Sequence, residues 1–395
     1  MRVAIVHDFL KEYGGAERVL EGLHEIYPDA PIYTAFYSPK HLGKFAEKFR
    51  GWDIRTTWAQ KIPWIAKLYS PLRLLTPLFW ESIDFSDYDV VISSTNVYGA
   101  KGIITKPTTT HICYCHTPPR FLYGYPTALG WEKHWWGRLI GLFMNHTLRQ
   151  YDFLAAQRVD YFIAGSKNGQ ERIKKFYRRE STVIYPPVEL QIKNSKLKIQ
   201  NDLSISLGTG NSKIKNLDDQ RYYLCVGRLV AAKRIDLAIE ACVDMNLPLK
   251  IVGKGREEGR LRKLVTLRDL YHMVEFRGEV SDGELAQFYQ GCRAVIFPAI
   301  DEDFGIVPVE AMSFGKPVIG LNSGGVKETV VDGVTGVLFN EPAVDSLKDA
   351  INRFKQLSIK PEDCKKQAEK FSKNRFKEQI KKFVEGKWEE LQKKA

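Results

Sequence analysis

Two doubly wound α/β domains are what this sequence predicts, and three observations predict them. The 395 residues exceed what a single hydrophobic core usually serves. Short apolar runs alternate with helical patterns from the first residues to beyond residue 310, the pattern of parallel sheets covered by helices. One polar stretch near the middle interrupts that rhythm. The composition, 44% hydrophobic and 27% charged, excludes a disordered or collagen-like chain.

In chain order, the first half offers strands in RVAIVHD, PIYTAF, DVVISS, THICYCH and DYFIAGS, with a helix from Glu17 to Tyr27. The second half repeats the rhythm with YYLCVGRL, a helix from Ile235 to Met245, LKIVGKG and a helix from Glu257 to Leu270. VEFRGEV, a helix from Glu284 to Gln290, AVIFPA and a helix after Pro308 complete it. Residues 189–220 are rich in Asn, Ser, Lys and Asp and poor in aromatic residues, the composition of an exposed linker. The expected domains are therefore 1–188 and 221–360. From 361 to 395 the apolar residues Phe371, Phe376, Ile380, Phe383, Val384, Trp388 and Leu391 recur at helical spacing on a charged background. That tail predicts an amphipathic helix pair packing back on the body.

The formal charge of +12 invites nucleic acid, anionic lipid or a phosphate-bearing small molecule as partner. The basic residues are dispersed over both halves and form no nucleic-acid motif, which argues against nucleic acid. Asp8 arrives too early for a signal-peptide core, and no run of about 18 uncharged apolar residues follows. The six cysteines sit mostly in apolar runs, where a free thiol packs as a small hydrophobe. A soluble, cytoplasmic protein in a reducing compartment is expected.

Ligands of such sheets bind at the carboxyl ends of the strands, so the loops that leave strands hold the candidate chemistry. In HDFLKEYGGAER, Gly14 and Gly15 precede a helix and would let a backbone approach an anion at its N-terminus. The pattern is neither G-x-G-x-x-G nor a P-loop, and a tight turn is its plain alternative. In GRLVAAKR, Arg228 and Lys233 flank a strand-to-helix loop and can reach a diphosphate, or remain two solvated cations. In AIDEDFGIVPVEAM, Asp301, Glu302 and Asp303 precede Phe304 and Gly305, and Pro308 lies in the first turn of a helix. Glu302 and Glu310 could grip sugar and ribose hydroxyls near the free N–H groups of that turn. The alternatives are a solvated loop acid and a carboxylate complementing the helix dipole. The D-x-D pairs Asp301-x-Asp303 and Asp87-x-Asp89, and the cluster His111, Cys113, Cys115 and His116, permit metal readings. Carboxylate pairs at that spacing occur often by chance and zinc ligands usually come from separate turns, so no metal is expected.

EDFGIVPVEAM, with its two glutamates separated by seven residues, resembles a family-4 retaining glycosyltransferase of the GT-B fold when taken with GGAER, CHTPPR, YPPV, VGRL and RGEVSDGEL. The likeness is nearest to bacterial mannosyltransferases of O-antigen and cell-surface polysaccharide assembly, and it runs from the amino terminus to about Phe339. It implies two Rossmann-like domains facing a central cleft and a nucleotide-sugar donor lying there without a metal cofactor. It assigns Glu310 to the ribose, and Arg228 and Lys233 to the diphosphate with Gly14 and Gly15 opposite. Glu302 and the backbone of Phe304, Gly305, Ile306 and Val307 would hold the donor sugar. Gly253, Gly278 and Val280 would line the base, and His116 would stand at the reacting carbon with Glu302 as the other catalytic residue. Where the resemblance implies Glu-Gly-Phe-Gly in many relatives, this chain has Asp303 after Glu302, a side chain at a position often left to glycine, and an altered sugar pocket is expected.

The resemblance also implies mannose from GDP-mannose as the donor, transferred with retention. A UDP-sugar with a soluble acceptor, or an epimerase of the same architecture, is the alternative. Two aromatic and basic stretches, 58–80 and 120–138 with Trp131, Trp135 and Trp136, are too interrupted to span a bilayer. They are amphipathic enough to rest on an anionic inner-membrane surface and meet a lipid-linked saccharide or polysaccharide acceptor.

Overall fold

A computed structural model describes residues 1–97, 99–125, 135–190, 222–266 and 273–393, with the backbone alone for 135–140. The chain forms two units, one of Met1–Pro187 together with Lys373–Ala395, the other of Val188–Ser372. In unit 1, strands β1 (Val3–His7), β2 (Ile32–Thr34), β3 (Ile54–Thr56), β4 (Val90–Thr95), β5 (Thr110–Cys115), β6 (Tyr161–Ala164) and β7 (Ser181–Val183) pair in parallel. Their order is β3-β2-β1-β4-β5-β6-β7. Its longer helices are α1 (Gly15–Ile26), α2 (Trp135–Gln157) and α3 (Lys167–Tyr177). The central strands β1, β4 and β5 are buried throughout, which is why they read as continuous rather than alternating apolar runs.

In unit 2, β8 (Tyr223–Val226), β9 (Leu249–Val252), β10 (Val274–Gly278), β11 (Ala294–Phe297), β12 (Val318–Leu321) and β13 (Gly336–Phe339) form a parallel sheet in the order β10-β9-β8-β11-β12-β13. Helices α4 (Ile235–Asp244), α5 (Glu258–Thr266), α6 (Asp282–Gly291), α7 (Ile306–Ser313), α8 (Val344–Gln356) and α9 (Pro361–Glu369) accompany it. Leu237, Ala238 and Ala241 of α4 and Leu347 and Ile351 of α8 meet Ile251, Ile296, Ile319 and Val337 of the sheet in one core. Both sheets thus reverse their strand order once, between β1 and β4 and between β8 and β11, and loops open there. Among the described residues no helix is long and apolar enough to cross a membrane.

The expected strands are present, and four more join them: β3 and β7 as three-residue edges whose sequences, IRT and STV, carry too little apolar pattern to be seen, and β12 and β13 in unit 2. The linker expected over 189–220 lies, from residue 191 on, outside the described residues. The tail expected as one helix pair is divided. Helix α9 stays with unit 2, where Cys364 and Ala368 are buried and Gln367 donates to the Thr329 carbonyl at 3.0 Å. Helix α10 (Lys373–Gln392) crosses to unit 1 and buries Phe376, Ile380 and Val384 in the core under β1, β4 and β5. Gly22 of α1 makes that seat, because a Cβ there would lie 2.7 Å from Cε1 of Phe376. Lys377, at 3.3 Å, and Lys373 hold Glu25 of α1 from the same helix.

Candidate active site

In unit 2 the expected residues gather at the carboxyl end of the sheet, at its reversal point. Lys233 closes a short helical turn after β8, and Glu302 lies on the loop after β11. Their side chains meet with Nζ 2.7 Å from Oε2, at 16% and 26% exposure. The backbone ties the same two loops, since Ile300 donates to the Ala232 carbonyl at 2.9 Å. Lys233 also stands over an aromatic face, its Nζ 5.1 Å from the Phe297 ring centre. Arg228 sits on the same β8 loop with an exposed side chain.

The Glu302 loop is braced from behind by residues 322–325. Ser323 Oγ donates to Asp301 Oδ1 at 3.0 Å and accepts from the Asp301 amide at 3.1 Å, while Gly325 donates to the Glu302 carbonyl at 2.7 Å. Asp301 is held at φ 49°, a conformation that costs a residue with a side chain roughly 1 kcal/mol or more. Gly324 and Gly325 are required, because a Cβ on either would fall 2.2 to 2.4 Å from backbone of Glu302 or Phe304.

Gly305, at φ 86°, caps α7, so the first N–H groups of that helix, at Ile306 and Val307, have no intrahelical acceptor and face the loop end. Phe304 is buried against Phe371, ring centres 5.3 Å apart, so only its backbone is offered to a ligand. Glu310, partly exposed one turn on, receives a hydrogen bond of 2.9 Å from the hydroxyl of Tyr289 on α6. Tyr289 is itself buried and stacked on Phe314.

Gly253 and Gly278 end β9 and β10 on the same side. Gly253, at φ 130°, donates to the Gly278 carbonyl at 2.7 Å, and a Cβ on it would lie 2.0 Å from the Gly227 carbonyl oxygen. Close approach of β8 and β9 therefore demands this glycine with or without a ligand. Gly278 sits at φ 67° where the register of β10 shifts, and Val280 follows just before Ser281 caps α6.

Gly14, Gly15 and His116 belong to unit 1. Gly14 is the N-cap of α1, and its amide donates to Glu17 Oε2 at 2.7 Å. His116 follows β5, partly buried, with Nε2 2.9 Å from the hydroxyl of Ser94 on β4. Burial, and then the neighbouring His7, push the His116 imidazole down to about 3, so the ring is neutral at physiological pH. His111, on the same strand and fully buried against the Ser93 hydroxyl at 2.8 Å, is lowered to about 3 by burial as well. Cys113 and Cys115 pack among Ala156, Phe162, Ala164 and Tyr177, and burial pushes the Cys113 thiol up to about 12. Among the described residues no three His, Cys, Asp or Glu side chains gather as a metal-binding set.

Several residues that shape these loops escaped the sequence. Asp8, buried after β1, accepts from the amides of Asn96 and Val97 at 2.7 Å and of Ala100 at 2.9 Å, which fixes the loop after β4. Tyr289, Ser323, His7 and Ser94 carry no motif of their own. Glu17 alone left a trace, three residues after the Gly14 cap, where an acid commonly folds back on a helix start.

Comparison with known proteins agrees with the two-unit α/β architecture. The model of "Glycosyltransferase Family 4" matches residues 13–192, and that of "Glycosyl transferases group 1" matches 210–371, so the two halves of the chain carry the two halves of one architecture. The chain is a GT-B glycosyltransferase of the family-4 type. It is 27% identical over 410 aligned positions to alpha-1,3/1,6-mannosyltransferase ALG2 of Mus musculus, covering 94% of this chain and 93% of that one. An uncharacterized glycosyltransferase of Methanocaldococcus jannaschii is 32% identical over 43% of this chain and 47% of its own length. Among solved structures, the fold is shared with sucrose-phosphate synthase of Thermosynechococcus elongatus, at TM-score 0.71, 16% identity, and 98% and 99% coverage. It is also shared with Anabaena HepE in complex with UDP-glucose, at TM-score 0.68, 19% identity, and 98% and 100% coverage.

Proposed function

We propose that this glycosyltransferase moves a mannosyl group, with retention, from GDP-mannose to a lipid-linked saccharide or polysaccharide acceptor. The observation that carries the reading is the Lys233–Glu302 pair at the reversal point of the unit 2 sheet, beside the open N-terminus of α7. A nucleotide sugar already has a good leaving group, so the work left to the enzyme is to neutralise the departing diphosphate and shield an oxocarbenium-like carbon. Arg228, Lys233 and the first amides of α7 supply positive charge without a metal ion. Binding of the diphosphate draws Lys233 from Glu302, whose carboxylate is then free to accept from the hydroxyls of the donor sugar.

Glu310, oriented by Tyr289, accepts from the ribose hydroxyls, and the backbone at Gly253, Gly278 and Val280 borders the base. In unit 1, the Gly14-Gly15 turn is read as a contact to the diphosphate, and neutral His116 as the acceptor from a sugar hydroxyl beside the reacting carbon. With retention, the leaving phosphate takes the acceptor's proton on the face where it departs. The similarity to ALG2 along 93% of that protein supports mannose as the sugar.

A lipid-linked acceptor is supported by residues 58–81 of unit 1. Trp64 and Leu78 are 78% and 55% exposed, Leu74 and Leu75 are exposed beside them, and Lys61 and Lys67 lie on the same stretch. Apolar side chains among cations suit an anionic membrane surface on the cytoplasmic side, where such an acceptor is held. Phe79, Trp80 and Ile65 of the same stretch are buried and anchor it to the body. Trp131, Trp135 and Trp136 lie outside the described side chains.

Thermal-shift titration with GDP, UDP and ADP tests the donor. A ligand at one hundred times its dissociation constant stabilises the native state by about 2.7 kcal/mol. GDP should raise the melting temperature most. Greater stabilisation by UDP overturns the mannose assignment, and no binding to anionic liposomes at low salt overturns the membrane surface.

A further inference from the structure

We propose that Glu17, His7 and Ser94 are positioning residues that decide which ring nitrogen of His116 carries the proton, leaving Nδ1 bare to accept from a substrate hydroxyl. The proposal rests on the reading of His116 as a substrate contact. Four groups stand in a row inside unit 1. Glu17 Oε2 accepts from the Gly14 amide at 2.7 Å, and its Oε1 faces His7 Nε2 at 3.5 Å. His7 Nδ1 lies 3.4 Å from Ser94 Oγ, and Ser94 Oγ lies 2.9 Å from His116 Nε2. His7, Glu17 and Ser94 are 2%, 5% and 0% exposed, so no water competes strongly along the row and the low local dielectric sharpens each preference.

The row has a direction, because only one end is fixed. A carboxylate accepts and never donates, so where His7 carries a single ring proton Glu17 draws it to Nε2. That leaves His7 Nδ1 as an acceptor, and the single hydroxyl proton of Ser94 turns toward it. The Ser94 oxygen then offers His116 only a lone pair, so His116 places its proton on Nε2. The tautomer of a histidine follows from the partner of its other nitrogen, and here that partner is set three groups away. A neutral ring with a bare Nδ1 accepts from a hydroxyl and has nothing to offer a phosphate oxygen.

The same row gives the Gly14-Gly15 turn a second duty. Glu17 reads the position of that turn through the Gly14 amide, so the anion-facing loop and the sugar-facing histidine share one carboxylate. Topology makes this possible, because β1 ends in His7, β4 carries Ser94 and β5 leads to His116, and the three strands are neighbours.

Histidine side-chain NMR of the full-length enzyme labelled with 15N-histidine tests the proposal without any substrate, the His116 signals being those lost in His116→Gln. The expected result is the Nε2-protonated tautomer of His116 in the wild type. In Ser94→Ala and in Glu17→Gln, whose amide must present a donor to one of the two partners of Glu17, a mixture of tautomers is expected. Turnover in both should fall by about tenfold or more, as supporting shells of this kind commonly cost, while GDP binding by Ser94→Ala stays within about twofold. Melting temperatures of both variants establish that they fold. An Nδ1-protonated His116 in the wild type, or an unchanged tautomer in two folded variants, overturns the proposal. A shifted tautomer with unchanged turnover upholds the relay and instead overturns the substrate contact assigned to His116.

Discussion

Replacing Phe376 by alanine should destabilise unit 1 and leave unit 2 intact, although the residue lies only 19 positions before residue 395. Its ring is 2% exposed, stands edge-on to Tyr114 at 6.0 Å and fills the space over Gly22. Truncating a buried phenylalanine removes its transfer free energy and leaves a cavity, together about 3–5 kcal/mol. Collapse of the site is restricted, because Ile380 and Val384 on the same helix face are fully buried and hold α10 in place. A figure at the upper end of that range is therefore expected. Urea denaturation followed by hydrogen exchange of proteolytic peptides reads both the size and the location of the loss. Peptides of β1, β4 and β5 should lose protection, while those of β8 and β11 keep it. A loss under about 1 kcal/mol, or lost protection confined to unit 2 peptides, would refute the assignment of the final helix to the first unit's core.

Glu302→Gln should lower turnover by roughly a hundredfold or more while the melting temperature changes little, and steady-state rates equal to wild type would remove Glu302 from the site. Lys233→Ala should sharply reduce the thermal stabilisation given by GDP, and an undiminished shift would place the diphosphate elsewhere. Gly253→Ala forces a left-handed residue and a 2.0 Å clash with backbone, so a loss of about 2–4 kcal/mol is expected in denaturation; wild-type stability would contradict the close approach of β8 and β9. His111, lowered to about 3, binds its proton in the unfolded chain near 6.5 but not in the native state until far lower pH. Its contribution is full above about pH 6.5 and is lost as pH falls toward 3, amounting to roughly 1.5 kcal/mol between pH 6.5 and 5. A native His111 imidazole that charges in NMR titration above pH 5 would contradict this.

The site was legible to different depths in different places. Glu302, Gly305 and Glu310 stood out because a strand, an acidic turn and a proline-bearing helix start follow one another within a dozen residues, and local chemistry fixes that geometry. Gly253 also stood out, yet its lack of a side chain answers to Gly227 on the neighbouring strand, so a glycine read as a ligand contact has a packing cause. Asp303 lies in the Glu302 loop, which the Ser323-Gly324-Gly325 turn braces from behind. Nothing in the sequence around Tyr289 or Ser323 announces a role, because each acts on a residue more than twenty positions away.

By itself the sequence determined the parallel α/β character of both halves, the strand-to-helix loops that carry the candidate residues and the basic balance of the chain. Those properties are written in neighbours a few residues apart, through periodicity, turn residues and caps. Only the tertiary structure decided that Lys233 meets Glu302, that His7 and Ser94 stand behind His116, and that α9 and α10 part company between two units. Each of these depends on which strands become neighbours and on which apolar faces find a matching hollow, and such pairings join residues separated by tens to hundreds of positions, where sequence spacing carries no record of distance.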